Sequence, residues 1–235
     1  MDRKIREAQL KLLEVFPSMS RTFALSGGTA LELFYLKHRF SKDLDFFSPG
    51  YNSAEIDKLA TGFSKCLGKK LKLENELVIE GKARVRFYTV NIKGAKLPLK
   101  IDFLEDVVFK KPVIRKFNSI PVYDVKNIYH QKILILIGTK LGMDETGREV
   151  ITGRKEARDI VDVYYLSKKI YPLHKFIKKL PHYYKRGLIY WYRTYSRYDF
   201  KVEVLDLDIY DKEFNASDVI KHFDLEIKKI IKEVV

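Results

Sequence analysis

The chain has 235 residues, 46% of them hydrophobic and 13% aromatic, so it is long enough to bury a sizeable core in one large domain or two small ones and too apolar to be disordered. Its formal net charge of +14 favours polyanionic partners, because neutralising phosphates releases counterions, although a Lys-rich solubilising surface gives the same number. No apolar run approaches the ~18 residues of a membrane span, the first residues lack a signal peptide's apolar stretch, and one cysteine, Cys66, excludes an internal disulfide and a thiolate metal cluster; a reducing cytoplasmic setting is expected, with no membrane partner.

Residues 2–16 place Ile5, Ala8, Leu12, Val15 and Phe16 on one helical face, with Pro17 as the expected stop. A short strand over 22–26 leads into Gly27-Gly28, and helical spacing resumes from Thr29 to Lys37. Residues 43–47 alternate acid and apolar as a half-buried strand does, until Ser48-Pro49-Gly50 breaks the pattern. Ser53 is positioned to cap a helix running to about Leu67, with Ile56, Leu59, Ala60 and Phe63 inward. Strands are expected over 72–80, 84–92, 97–104 and 119–123, the first three joined at hairpin-like Gly81-Lys82 and Lys93-Gly94. After Asp124 the spacing turns helical, with helices predicted over 125–142, 154–168, 181–197 and 216–233. The expected fold class is therefore α+β, a mixed sheet with flanking helices over 1–124 followed by an all-helical half over 125–235.

The segment 25–47 is where chemistry is expected. A strand ends, two glycines let the backbone turn sharply, and a helix begins; free N–H groups at such a turn hold phosphate oxygens, and Ser26 and Thr29 add hydroxyl donors. Fifteen residues after Gly28 comes Asp43-Leu44-Asp45, whose carboxylates share one face if the segment is a strand. Two like charges so close are costly unless a cation lies between them, and Mg²⁺ takes one or two carboxylates plus substrate phosphates. Asp102, on the strand predicted over 97–104, fits the same plan: with Asp43 and Asp45 it could hold two metals about 3.5–4 Å apart, the arrangement that aligns an attacking hydroxyl with leaving pyrophosphate. Neither Asp-x-Asp nor Gly-Gly is specific alone. Asp206-Leu207-Asp208 repeats the acidic spacing without a preceding glycine turn and reads as a solvated loop.

Residues 168–201 hold ten Lys or Arg against one acid, Asp199, interleaved with ten aromatics. The pattern suits RNA, where cations meet phosphates and rings stack on bases, but it also suits a helical core of aromatics solvated by lysines, as the spacing of Tyr184, Leu188, Trp191 and Tyr195 suggests. The five histidines show no metal-ligand spacing.

Gly27-Gly28-Thr29-Ala30-Leu31 followed by Arg39-x-Ser41-x-Asp43-Leu44-Asp45-Phe46 resembles the nucleotidyltransferase AbiEii/AbiGii toxin family, within the DNA polymerase β-like nucleotidyltransferase superfamily. A second block is similar to the family's later pattern: Gln131-Lys132 to Lys140-Leu141, then Arg154 and Arg158-Asp159-Ile160-Val161-Asp162-Val163-Tyr164-Tyr165-Leu166. The resemblance implies an NTP-dependent, pyrophosphate-releasing enzyme, with Asp43 and Asp45 as metal ligands, Ser26, Gly27, Gly28, Thr29, Arg39, Ser41 and Lys140 at the nucleotide, and Asp159, or else Asp162, as the late essential aspartate. It also implies Mg²⁺, a cognate antitoxin, and an acceptor that the charge suggests is RNA such as tRNA. A small-molecule acceptor and binding without transfer are the alternatives. Without the resemblance, Lys155 with Asp159 and Arg158 with Asp162 read as ordinary i, i+4 helix pairs.

Overall fold

The computed structural model describes residues 1–78, 83–138, 140–143 and 149–232, of which 140–143 and 149–152 are described as backbone only. The chain divides into two compact units, one comprising Met1–Tyr35 and Phe40–Ile128, the other Leu36–Arg39 and the chain from Tyr129 onward.

The first unit opens with α1 (Arg3–Met19), capped by the Asp2 side chain, which accepts from the Lys4 and Ile5 amides. Pro17 lies inside its last turn rather than ending it, and the Ser20 amide closes the helix on the Phe16 carbonyl. β1 (Ala24–Ser26) runs directly into α2 (Gly27–Ala30), which continues as a π-helical segment, Leu31–Leu36. β2 (Leu44–Ser48) and α3 (Ser53–Leu67) follow. The cap of α3 is Asn52, one residue earlier than expected, its side chain accepting from the Glu55 amide, and the helix ends at Gly68 in the left-handed region. Then come β3 (Lys72–Leu77), β4 (Val85–Val90), β5 (Leu99–Glu105), β6 (Ile114–Phe117) and β7 (Ile120–Tyr123). They form a mixed seven-stranded sheet in the order β3-β4-β5-β2-β1-β7-β6. β1 and β2 are antiparallel, β2 and β5 parallel, and β1 and β7 parallel. β6 was not expected from the sequence: three of its four residues are exposed, so it carries no apolar alternation.

One face of this sheet is greasy for a period-two reason. Leu44 and Phe46 on β2 and Leu99, Ile101 and Phe103 on β5 are all buried. Phe46 packs 4.4 Å from Phe16 of α1 and 5.7 Å from Phe63 of α3, and Phe103 lies 5.5 Å from Phe46. Each such ring contributes roughly 1.5–3 kcal/mol by burial. Alternation then sends Asp45 and Asp102 to the opposite face, where each is half-buried.

The second unit contains the greater part of α4 (Val125–Ile137) together with α5 (Ala157–Lys169), α6 (Leu173–Lys178), α7 (His182–Thr194), α8 (Arg197–Glu203) and α9 (Ala216–Lys232). Among the described residues its strand pairing is confined to β8 (Lys140–Met143) with β9 (Glu149–Thr152), antiparallel, and a bridge between Arg39 and Ile209. The helix predicted to Gly142 therefore stops at Ile137, where Gly138, in the left-handed region, donates back to the Leu134 carbonyl. α5 is the centre of this unit: Ala157 and every residue from Asp159 to Ser167 is buried. Of the basic aromatic segment, Phe176, Tyr184, Trp191, Tyr192, Tyr195 and Phe200 join the core, whereas Tyr183, Tyr190 and Tyr198 stay exposed.

Candidate active site

The strand pairing brings the expected acids together. Ser26 is the direct partner of Asp45 across β1 and β2, and Asp45 is the direct partner of Asp102 across β2 and β5. Adjacent strands lie about 4.8 Å apart, so the two aspartates stand side by side on one face. Phe87 of β4 is the next residue in the same row. Gly27, with φ +68°, sits against the Asp45 carboxylate: a Cβ there would fall 2.1 Å from Oδ2. Both the conformation and the close approach require glycine. Placing two carboxylates next to each other on a half-buried surface suits a divalent cation, whose charge offsets their repulsion. Among the described residues no three His, Cys, Asp or Glu side chains group as a metal site, and Asp43, Asp45 and Asp102 do not meet that arrangement.

Asp43 immediately precedes β2, and its backbone is held from below. The Thr29 hydroxyl donates to the Asp43 carbonyl, which ties the start of α2 to the acidic strand. Gln9 of α1, wholly buried, donates to the Ser41 carbonyl at 3.0 Å. Glu32 accepts from the Ser41 amide at 2.8 Å and pairs with Arg6, whose guanidinium lies 4.8 Å over the Phe40 ring. Thr29 and Ser41, expected at the nucleotide, are thus built into the floor under the acids: the Thr29 hydroxyl is committed to the backbone, and Ser41 is buried. Ser26 is likewise fully buried. The sequence reading missed Gln9 and Glu32. Glu32 lies on the helical run after the glycines, where a charged residue reads as solvent-facing.

In the second unit a different polar group is fully enclosed. Arg39 donates through Nε to Asp162 Oδ1 at 2.7 Å and through Nη2 to Oδ2 at 2.9 Å. His38 Nε2 lies 2.7 Å from the same Oδ1, and Lys132 Nζ lies 2.8 Å from Asp162 Oδ2 and 2.6 Å from Asp159 Oδ1. Two buried cations, Arg39 and Lys132, face two carboxylates, Asp159 and Asp162, and the half-exposed Arg154 reaches Asp159 Oδ2 at 3.8 Å from the rim. Burial alone would raise the Asp162 carboxyl, but Arg39, Lys132 and the His38 hydrogen bond hold it well below the usual carboxylate range. Burial dominates at His38 and pushes its imidazole down despite Asp162. The neutral ring donates from Nε2, leaving Nδ1 buried with no hydrogen-bond partner among the described residues; a proton there would be equally unsatisfied. Lys132 stays charged, since Asp159 and Asp162 outweigh its desolvation.

These facts relocate several expectations. Arg39, expected at the nucleotide, is buried with its fork engaged on Asp162. Lys140 lies on the strand β8 rather than on a helix, and its side chain lies outside the described residues. The helix lysine that meets the late aspartates is Lys132. Lys155 donates to the Thr194 carbonyl at 3.0 Å, and Arg158 through Nε to Glu156 at 2.6 Å. Asp206-Leu207-Asp208 lies at the end of a short 3-10 turn, with both aspartates exposed.

The family profile "Nucleotidyl transferase AbiEii toxin, Type IV TA system" matches residues 11–233, nearly the whole chain. The chain belongs to the AbiEii family. It is accordingly a nucleotidyltransferase, and membership implies a nucleotide substrate and a cognate antitoxin. Two solved structures from H. pylori share the fold: a candidate nucleotidyltransferase, 16% identical with TM-score 0.56 over 97% of this chain and 96% of that one, and JHP933, 17% identical with TM-score 0.53 over 99% and 93%. No curated protein matches the chain. Among the described residues no helix of this AbiEii chain is long and apolar enough to cross a membrane.

Proposed function

We propose that this AbiEii chain moves a nucleoside monophosphate from an NTP to an RNA acceptor such as tRNA, as the toxin of a bacterial toxin–antitoxin or phage-defence system. The observation that carries the reading is the row Ser26–Asp45–Asp102 across three adjacent strands, with Gly27 packed on the Asp45 carboxylate. Asp43 and Asp45, with Asp102 beside them, are the residues that would hold Mg²⁺. When bound, the ion offsets charge on the triphosphate and the departing pyrophosphate.

The acceptor hydroxyl attacks the α-phosphorus as the bond to the bridging oxygen of the β-phosphate breaks. Pyrophosphate leaves with that bonding pair, and the hydroxyl proton passes to a carboxylate, for which Asp102 is the candidate in this unit. Gly27 and Gly28, at the start of α2, are the candidates to offer backbone N–H groups to phosphate oxygens. Lys140 remains the candidate for charge on the triphosphate and Asp159 the candidate late aspartate, as the resemblance implies; Asp159 lies with Lys132 and Asp162 in a buried cluster.

The test is to incubate the protein and Mg²⁺ with each α-labelled NTP in turn, with and without total tRNA, alongside Asp45→Ala. Label in RNA from the wild type and none from the variant is expected. Label on a small acceptor with no RNA present would replace the RNA reading, and NTP binding without any transfer would remove the catalytic one.

A further inference from the structure

We propose that the outer face of α7 is a binding surface for the acceptor strand, in which guanidinium groups grip phosphates and tyrosine rings stack on bases. The proposal rests on the reading that the acceptor is RNA. α7 buries Tyr184, Leu188, Trp191 and Tyr192 on one side. Its other side presents Tyr183, Arg186, Tyr190 and Arg193, spaced i, i+3, i+7 and i+10, which at 100° per residue fall within about 80° of arc. Ring and cation therefore alternate along one exposed stripe. Tyr183 is 60% and Tyr190 39% exposed, high values for aromatic residues in a unit that buries most of its rings. Arg186, Ile189, Tyr190, Arg193 and Thr194 line an open groove of about 590 Å³.

Charge selects the occupant. α7 contains no acidic residue, and none lies between Ser167 and Tyr198. Among the described residues neither Arg186 nor Arg193 has a carboxylate within ion-pair distance, in contrast to Arg39, Arg84, Arg86 and Arg115, which are all paired. An unpaired guanidinium stripe with interleaved rings matches the two features of a single strand, a phosphate at each nucleotide and an exposed base face. Arg186 and Arg193 are about 10 Å apart along the helix axis, so they reach different phosphates. A protein partner would need acidic residues in the same spacing and would leave the rings without base faces.

The test measures binding of the full chain to a fluorescent single-stranded RNA of about 20 nucleotides across a salt series, for the wild type, for Arg186→Gln with Arg193→Gln, and for Tyr190→Ala. Labelled-NTP binding and thermal midpoint serve as controls, since these side chains are exposed and outside the acidic site. Loss of two phosphate contacts should lower the slope of log K against log salt by about 1.4, which near 0.1 M corresponds to roughly 25-fold weaker binding. Tyr190→Ala should weaken binding at least fivefold while leaving the slope unchanged. Wild-type affinity and slope in the double variant, with RNA still labelled, would overturn this surface and leave the RNA acceptor standing. Failure of the wild type itself to bind or label RNA, with NTP binding intact, would overturn both. Equal binding of poly-glutamate, lost in the same variant, would assign the stripe to an acidic protein instead.

Discussion

Replacing Gly27 with alanine perturbs the proposed centre at one carbon atom. The added Cβ falls 2.1 Å from Asp45 Oδ2, whereas such contacts relax to beyond about 3 Å, so the carboxylate must retreat by roughly 1 Å or the turn must open. The residue also sits at φ +68°, where a side chain costs about 1–3 kcal/mol. Set against a typical stability of about 5–15 kcal/mol, that cost leaves the protein folded. A displacement of about 1 Å at a reacting centre lowers turnover by roughly 100-fold. The assay is the initial rate of nucleotidyl transfer beside urea unfolding of the same preparation. Gly50→Ala is the control, because a Cβ there meets nothing within 4 Å, and it should leave both quantities unchanged. Gly27→Ala with transfer within threefold of wild type would refute the reasoning that Asp45 and this turn must be in register for chemistry.

Lys132→Met should cost about 3–5 kcal/mol in urea unfolding, because Asp159 and Asp162 lose a buried counter-charge, and Asp159→Asn in the same chain should recover part of it; an additive double variant would contradict the shared cluster. Thr29→Val should destabilise by about 1–3 kcal/mol and slow transfer, since the Asp43 carbonyl loses a donor, as read by unfolding and rate together. His38 binds its proton more weakly folded than unfolded, so stability is full above about pH 6.5 and falls below it as the unfolded chain takes up the proton, by up to about 1.4 kcal/mol per pH unit for this group. Asp162 adds a second loss below about pH 4, where its unfolded carboxyl protonates while the folded one still resists. His38→Gln should flatten the profile between pH 7 and 5 by one proton's share, His222, also depressed by burial, retaining its own. EDTA should abolish transfer while leaving the thermal midpoint nearly unchanged, because the scaffold under the acids is made of hydrogen bonds within the chain.

Periodicity made much of this fold legible. β2 and β5 alternate cleanly, so period two places Leu44, Phe46, Leu99 and Ile101 inward and turns Asp45 and Asp102 the other way, whereas Phe47, apolar in sequence, falls on the aspartates' face and Leu97, just before β5, is exposed. The adjacency of Asp45 and Asp102 was expected from the chemistry of the acids and not from any spacing: it depends on β5 pairing parallel to β2, a long-range choice that no local pattern encodes. The glycine turn was visible as a motif, but its reason, a carboxylate where a Cβ would be, needed three dimensions. Lys132 could have been found. It lies four residues from both Ile128 and Leu136, buried positions on the same helix, and a lysine within an apolar stripe predicts a buried partner. Arg39 was placed at the nucleotide by the resemblance alone; its guanidinium is engaged on Asp162, a contact no local spacing signals, since 123 residues separate the two. The aromatic segment divided according to helical phase, the 184–188–191 side going to the core and the 183–190 side outward.

The most direct test of the central claim is pyrophosphate release from NTP in the presence of Mg²⁺ and acceptor RNA, compared among the wild type, Asp45→Asn and Asp102→Asn, with folding of each confirmed by its thermal midpoint. A loss of at least 100-fold is expected in both variants, because the proposed chemistry needs the two neighbouring carboxylates at the same reacting phosphate. Release at the wild-type rate from either folded variant would contradict it and move the chemistry away from the β2–β5 row.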